Sequence, residues 1–235
     1  MLRLYLTQTL QKDTAVSLNE KQTHYAVNVR RLEDGDEVVA FNGVDGEWLC
    51  VFKKISKQAY ALNPIEKIKE PLILPKLGLA FAPIKSERLF FLIEKAVELG
   101  VTDLFPIQTD FTQGIRFSEE KTLDQMIGAT QQCERTCPPI LHPLQKMNVL
   151  INQLKGKWTL YGALERHAPM IYKENKTIST SPPCLFVGPE GGWSAGERAF
   201  FEATRDIESL SLGTLILRSE TAAVVGLTLL KTLHT

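Results

Sequence analysis

The chain has 235 residues, 44% of them apolar and 23% charged, with 27 Lys+Arg set against 27 Asp+Glu. This is the composition of a soluble globular chain, long enough for one large domain or two small ones, and it excludes a disordered protein. The charge balance holds in both parts, ten basic and ten acidic residues in 1–70 and seventeen of each in 71–235; it excludes blanket nucleic-acid binding and leaves a local basic patch open.

No apolar run approaches the ~18–20 residues of a membrane span, so no membrane is expected. The opening Met1-Leu-Arg-Leu-Tyr-Leu-Thr-Gln8 lacks the basic start, apolar core and small-residue cleavage site of a signal peptide, and a cytoplasmic location is expected. Cys50, Cys133, Cys137 and Cys184 do not make a disulfide framework in such a chain. Cys133 and Cys137 with His142 downstream suggest a metal, but a fourth ligand and a second close pair are missing, so ordinary buried thiols are the expectation.

The first seventy residues read as β-rich. A helical stretch is predicted around Glu20–Arg31. Asp36–Phe52 reads as two apolar strands around Asn42-Gly43 and Asp45-Gly46, strong turn signals, and Gln58–Leu62 as a further short strand. So few residues close most naturally as a small barrel. Composition shifts at Lys67-Ile-Lys-Glu-Pro71, which places a boundary between a domain of 1–70 and one of 71–235.

Strands and helices alternate thereafter. Leu77–Ala82 is a buried-type strand. Ser86 offers an N-cap to a helix through Leu99, with Leu89, Ile93, Ala96 and Val97 on one stripe and Gly100 just past its end, and Val101–Ile107 is the next strand. Such a βαβ unit implies a parallel sheet. A helix is predicted from Ser118 to before Pro138-Pro139, another over Lys146–Leu154, and strands over Lys157–Tyr161 and Cys184–Val187. Ser194-Ala-Gly-Glu197 fits a capping box for a helix to about Arg205; Ile207–Leu212 is the last strand and Thr221–Leu233 the last helix. With so few charges that helix is expected to be buried, in the core or against a partner chain.

Two segments could carry chemistry. Leu185-Phe-Val-Gly-Pro-Glu-Gly-Gly-Trp193 runs from an apolar strand through a Gly/Pro-rich turn to a capped helix, and its glycines let backbone N–H groups approach a ligand closely. Leu210–Ala222 does something similar, with Arg218 and Glu220 just before the last helix. Both lie where an open parallel sheet binds ligands, beyond the carboxyl ends of its strands. On spacing alone, Gly188–Gly192 reads equally as a plain tight turn and Arg218–Glu220 as a solvated cap. There is no G-x-x-x-x-G-K-[ST], G-x-G-x-x-G or G-x-S-x-G, which disfavours P-loop, common dinucleotide-binding and nucleophile-elbow proteins.

Taken together, His24-Tyr-Ala-Val-Asn-Val-Arg30, Glu94-Lys-Ala-Val-Glu-Leu-Gly-Val101, Gln131-Gln-Cys-Glu-Arg135, Val187-Gly-Pro-Glu-Gly-Gly-Trp193 and Leu212-Gly-Thr-Leu-Ile-Leu-Arg-Ser-Glu-Thr-Ala222 resemble the RsmE family of ribosomal RNA methyltransferases, within the SPOUT superfamily. The resemblance covers nearly the whole chain, and its last two motifs are highly specific in this order and spacing. It implies an α/β fold: a small PUA-like β-barrel RNA-binding domain, then a SPOUT methyltransferase domain with a deep C-terminal trefoil knot. It implies a homodimer and S-adenosylmethionine (SAM) as methyl donor, bound among loops mapping onto Gly162–Glu165, Gly188–Gly192 and Ser211–Arg218. The implied cofactor residues are Gly162, Gly188, Pro189, Glu190, Gly191, Gly192, Ser211, Leu212, Gly213, Ile216, Leu217 and Arg218.

The reaction the resemblance implies is methylation of N3 of one uridine near the 3′ end of 16S rRNA in the small ribosomal subunit, with no metal required. Uracil N3–H is a weak acid, so the protein must stabilise the imide anion or supply a base. Arg218 and Glu220 are the candidate catalytic pair: Arg218 supporting the anion or orienting its loop, Glu220 holding Arg218 or receiving a proton through water. An Arg218–Glu220 pair that only shapes the loop remains open. His24, Arg30, Arg31 and Arg135 are the candidate RNA contacts; Lys53, Lys54 and Lys57 read as solvated strand ends. The sequence departs from the family at Thr109-Asp-Phe-Thr-Gln113, where an Arg-Ser pair is usual and for which Arg116 is a possible substitute, and at Gln131-Gln132. These departures put the RNA face in question. Two other readings therefore stand beside the first: a methyltransferase acting on a different RNA base, and a non-catalytic RNA-binding assembly factor.

Overall fold

The computed structural model describes residues 1–112, 114–164, 180–204 and 206–234. They fall into two compact units, Met1–Ile73 with Ile127–Pro138, and Leu74–Met126 with Pro139–Thr235.

In the first unit, β1 (Leu2–Tyr5), β2 (Val16–Ser17), β3 (Glu37–Phe41), β4 (Glu47–Lys54) and β5 (Tyr60–Lys69) pair in the order β1-β3-β4-β5-β2. The pair β1–β3 is parallel and the others are antiparallel. The β3–β4 hairpin forms where Asn42-Gly43 and Asp45-Gly46 predict it. Asn42 Oδ1 accepts from the amides of Val44 and Asp45, and Gly43 and Gly46 sit at φ +80 and +83, a region that suits glycine.

Several expectations change here. Strands β1 and β2 carried no turn-bounded signal, being four and two residues long. The short strand expected over Gln58–Leu62 continues to Lys69, because β4 is long and β5 pairs along all of it; two register shifts in β4 accommodate Pro64, which pairs with Cys50. The helical stretch divides into α1 (Glu20–His24), with Asn19 and Gln22 forming a capping box, and a π-type turn over Tyr25–Val29. The described strand pairs form an open path rather than a closed barrel, and α1 is tied to one end strand, Gln22 Nε2 donating to Tyr5 O. Leu2, Leu4, Leu6, Val38, Ala40, Phe52 and Leu62 fill the core beneath.

The second unit is an all-parallel sheet. It comprises β6 (Gly78–Phe81), α2 (Ser86–Glu98), β7 (Asp103–Gln108), a 3₁₀ turn over Asp110–Thr112, α3 (Glu119–Gln132, whose second half counts with the first unit), β8 (Ile140–Leu141), β9 (Gln145–Lys146) and α4 (Met147–Leu154). Then follow β10 (Thr159–Ala163), β11 (Pro183–Val187), α5 (Ala195–Ala203), β12 (Ile207–Leu210) and α6 (Ser219–Leu233). Strand order is β12-β10-β11-β6-β7-β8, with β9 also on β7. All five residues of β11 are buried, as expected of a strand covered on both faces.

Lys85, not Ser86, holds the N-cap position of α2, without a side-chain bond; Ser86 is already helical. Ser194 and Glu197 do form the expected capping box on α5; the end expected at Arg205 lies outside the described residues. Helix α6 begins at Ser219, two residues earlier than expected, so Glu220 lies within its first turn. Only one face of α6 is buried in this chain, with Ala222, Ala223, Gly226, Leu227 and Leu230 inward, while Thr221, Thr228, Lys231 and Thr232 are exposed. Among the described residues no helix is long and apolar enough to cross a membrane.

Candidate active site

Three strands end together and their following loops enclose one pocket. Ala163 and Leu164 come from the end of β10; Val187, Gly188, Pro189, Gly192 and Trp193 come from the end of β11 and its turn. Leu212, Gly213, Leu215, Ile216 and Leu217 follow β12, and Ser219 and Ala222 open α6. The cavity between these walls is small and partly open to solvent, about 70 Å³. Its lining residues are glycine or apolar apart from Ser219, with no charged residue among those described.

Hydrogen bonds tie these walls to one another. Trp193, 1% exposed, lies beneath Gly188 and donates from Nε1 to Ala163 O at 3.1 Å, joining the first wall to the second. A Cβ on Gly188 would come within 3.0 Å of that indole, so this position has room only for glycine unless Trp193 moves. Ser219 Oγ donates to Gly188 O at 2.6 Å, joining the start of α6 to the second wall. The turn itself closes by Gly192 N–H to Pro189 O, with Gly192 at φ +70 and, in the third wall, Gly213 at φ +113.

Of the candidate cofactor residues, Gly188, Pro189, Gly192, Leu212, Gly213, Ile216 and Leu217 line the pocket. Gly162 is buried within β10, one residue before the lining begins. Ser211 is half-buried, its Oγ accepting from Gly213 N–H at 3.5 Å. Glu165 lies outside the described residues. Glu190 and Gly191 lie in the same turn without lining the pocket: Gly191 packs against Phe111, and Glu190 Oε1 accepts from Arg88 Nη1 at 2.6 Å.

Arg88 was not foreseen. It projects from the first turn of α2, and besides Glu190 it stands 3.9 Å from Glu220 Oε1, so one guanidinium faces carboxylates from two separate segments. Nothing in Ile84-Lys-Ser-Glu-Arg88 marks it, because the pairing is made across the fold. The Arg218–Glu220 pair, the alternative left open by the sequence, is not formed. Arg218 is the exposed N-cap residue of α6 and Glu220 its second helical residue, and side chains two apart on a helix diverge. Glu220 is 9% exposed, with its Oε2 buried and unpartnered. Arg218 makes no side-chain hydrogen bond or ion pair among the described residues.

The Thr109–Gln113 segment, of which Gln113 lies outside the described residues, is anchored on the α5 cap. Asp110 N–H donates to Glu197 Oε1 at 2.9 Å and Ser194 Oγ to Asp110 Oδ2 at 2.5 Å, so Glu197 serves the capping box and this loop together. Arg116 is exposed.

In the first unit His24, Arg30 and Arg31 are all exposed, at and just after the π-type turn. Arg135 corrects the expectation of a surface contact: it is 7% exposed, and burial pushes its guanidinium pKa down. Its segment is drawn in by Arg3, which makes a two-pronged bond to Glu47 at 2.8 and 3.1 Å and donates to the carbonyls of Gln131 and Arg135.

A glycine-rich pocket beyond the carboxyl ends of parallel strands defines a ligand-binding α/β protein of the open-sheet class. Residues 71–231 match the family described as RNA methyltransferase domain, and residues 18–65 match RNA methyltransferase PUA domain. The chain therefore belongs to the RNA methyltransferase family and is an enzyme of that class. It is 30% identical to the ribosomal RNA small subunit methyltransferase E of Rickettsia conorii, over 96% of this chain and 93% of that one. Among solved structures it is similar to a Legionella pneumophila methyltransferase in complex with the cofactor SAM, at 26% identity and TM-score 0.85, covering 98% of this chain and 97% of that one. The Neisseria gonorrhoeae ribosomal RNA small subunit methyltransferase E bound to SAM has the same fold, at 24% identity and TM-score 0.83, covering 99% of this chain and 98% of that one.

Proposed function

We propose that this chain transfers the methyl group of SAM to N3 of a uridine near the 3′ end of 16S rRNA in the small ribosomal subunit. The observation that carries the reading is the convergence of three strand-end loops, distant in sequence, on one glycine-rich, uncharged pocket. The Rickettsia relative's name and the SAM in the Legionella structure support substrate and cofactor.

The chemistry of the lining suits SAM. Turns that leave main chain open to a ligand, at Gly188–Gly192 and Ser211–Leu217, would hold the polar parts of the molecule, while Leu164, Leu212, Ile216 and Leu217 would cover its adenine. Bound there, SAM supplies a methyl already activated by the positive sulfonium.

The protein's own work is then on the uracil. N3 must lose its proton to become nucleophilic, and that proton leaves well above neutral pH unless the anion is stabilised. Arg218 is the candidate for that stabilisation: it ends the third loop, is exposed, and is not drawn off by Glu220. Glu220 faces Arg88 instead, which favours a positioning role over direct proton transfer. His24, Arg30 and Arg31 would contact RNA phosphates from the PUA-like domain of 1–70, local cations sufficing on a neutral chain. The methyltransferase domain of 71–235 would carry the deep trefoil knot, a reading supported by family membership and by a strand order that sets β12 beside β10, outside β11. A homodimer, in the cytoplasm and without metal, completes the reading; the uncovered face of α6 supports the dimer.

The test is transfer of labelled methyl from SAM to small subunits lacking the modification, with naked 16S rRNA as comparison and nuclease mapping of the product. Label at uridine N3 on subunits is expected. Label on another base would keep the methyltransferase and discard the target. SAM binding without label on either RNA would overturn the reading in favour of a binding protein.

A further inference from the structure

Phe111 is a large aromatic left 54% exposed against Gly191, in the turn that forms the pocket's second wall. Its neighbours are fixed. Thr109 and Thr112 are 4% and 5% exposed and bonded to each other, the Thr109 amide donating to Thr112 Oγ1 at 2.9 Å, and Asp110 is tied to both Ser194 and Glu197. The exposure is therefore not that of a loose loop. One side of the residue rests on Gly191, where an added Cβ would lie 3.3 Å from Phe111 Cδ2, so glycine there lets the ring come down on the pocket's second wall. The other ring at this wall, Trp193, is 1% exposed and held within the wall by its Nε1 bond to Ala163 O.

An exposed ring forgoes the stabilisation of burial, and an enzyme that methylates a base inside folded RNA must draw that base out of its stack and give it a new stacking partner. Building on the function proposed above, we infer that Phe111 is the aromatic platform on which the target nucleobase stacks while its N3 faces the pocket. The ring recognises a flat π face and not an edge, so it positions the base and leaves discrimination between bases to other groups.

The variants Phe111→Leu, Phe111→Tyr and Phe111→Trp test this, since leucine keeps apolar packing on Gly191 and removes the ring. Stacking on an aromatic gives an expected loss of about 5- to 150-fold in kcat/KM for methyl transfer to unmodified small subunits in the leucine variant. Tyrosine and tryptophan should retain activity, and SAM affinity by calorimetry should be unchanged in all three. A leucine variant as active as wild type overturns the platform. If the wild-type protein transfers no methyl to subunits, the proposed function fails first. The platform is then judged by affinity for an oligouridylate, equal binding by wild type and Phe111→Leu overturning it and weaker binding by the leucine variant upholding it.

Discussion

Replacing Ser219 by alanine removes one oxygen from the pocket's frame and creates almost no cavity. Ser219 is 5% exposed, and its hydroxyl donates to Gly188 O at 2.6 Å. Gly188 is buried too, so the variant leaves an enclosed carbonyl without this donor, a cost of about 1–3 kcal/mol. At ~2–4 °C per kcal/mol for a chain of this size, the melting transition of the C-terminal unit should fall by roughly 2–12 °C. The Gly188 wall must then be re-formed when ligand binds, and Kd for SAM should rise by up to the same free energy, about 5- to 150-fold. Thr228→Ala is the control. It deletes a hydroxyl-to-carbonyl bond of 2.8 Å on the same helix, but on an exposed residue, where the effect should stay within about 0.5 kcal/mol. Differential scanning calorimetry and titration calorimetry with SAM read both quantities. If the two variants melt together and bind SAM alike, the tie between α6 and the Gly188 turn does not frame the pocket.

Arg88→Met should raise Kd for SAM by a few-fold, with Arg88→Lys intermediate; both Arg88 and Glu190 are about a third exposed, so thermal stability should change by no more than about 1 kcal/mol, and calorimetry separates the two effects. Gly226→Ala puts a Cβ 2.7 Å from Leu185 Cδ2 in a fully buried spot, an overpacking cost of about 1–3 kcal/mol set against ~1 kcal/mol of gained helix propensity. A lower melting temperature is expected, and a higher one would show that Leu185 turns aside freely. His234 is half-buried with its Nε2 3.2 Å from Tyr161 OH, and burial pushes its pKa below the ordinary 6.5, Glu208 opposing in part. The unfolded chain binds the proton more readily, so stability is full above about pH 6.5 and falls as pH drops toward the folded pKa. Urea unfolding between pH 7.5 and 5 should show this slope, and His234→Gln should flatten it.

Local pattern by itself determined much of this protein. The βαβ unit, the β3–β4 hairpin, the capping box of α5 and the two glycine-rich turns are written in residues close together in the chain, where propensity, turn chemistry and capping act over a few positions. For the same reason the motifs at Val187–Trp193 and Leu212–Ala222 named the pocket's second and third walls. What depended on distant partners was not readable. Two-residue strands such as β2, β8 and β9 exist only because a long neighbour offers them hydrogen bonds. Arg135 looks like any surface cation until Arg3 draws its segment inward and burial takes its charge out of solvent. Arg88 acquires meaning only when folding sets Glu190 and Glu220 around it. Arg218 and Glu220, neighbours in the motif, are parted because α6 begins two residues early and turns their side chains to different sides. Spacing along the chain fixes which elements form; which charges meet is decided by tertiary structure, because a salt bridge or a buried donor depends on distance in space and access to water, and neither is a property of sequence neighbours.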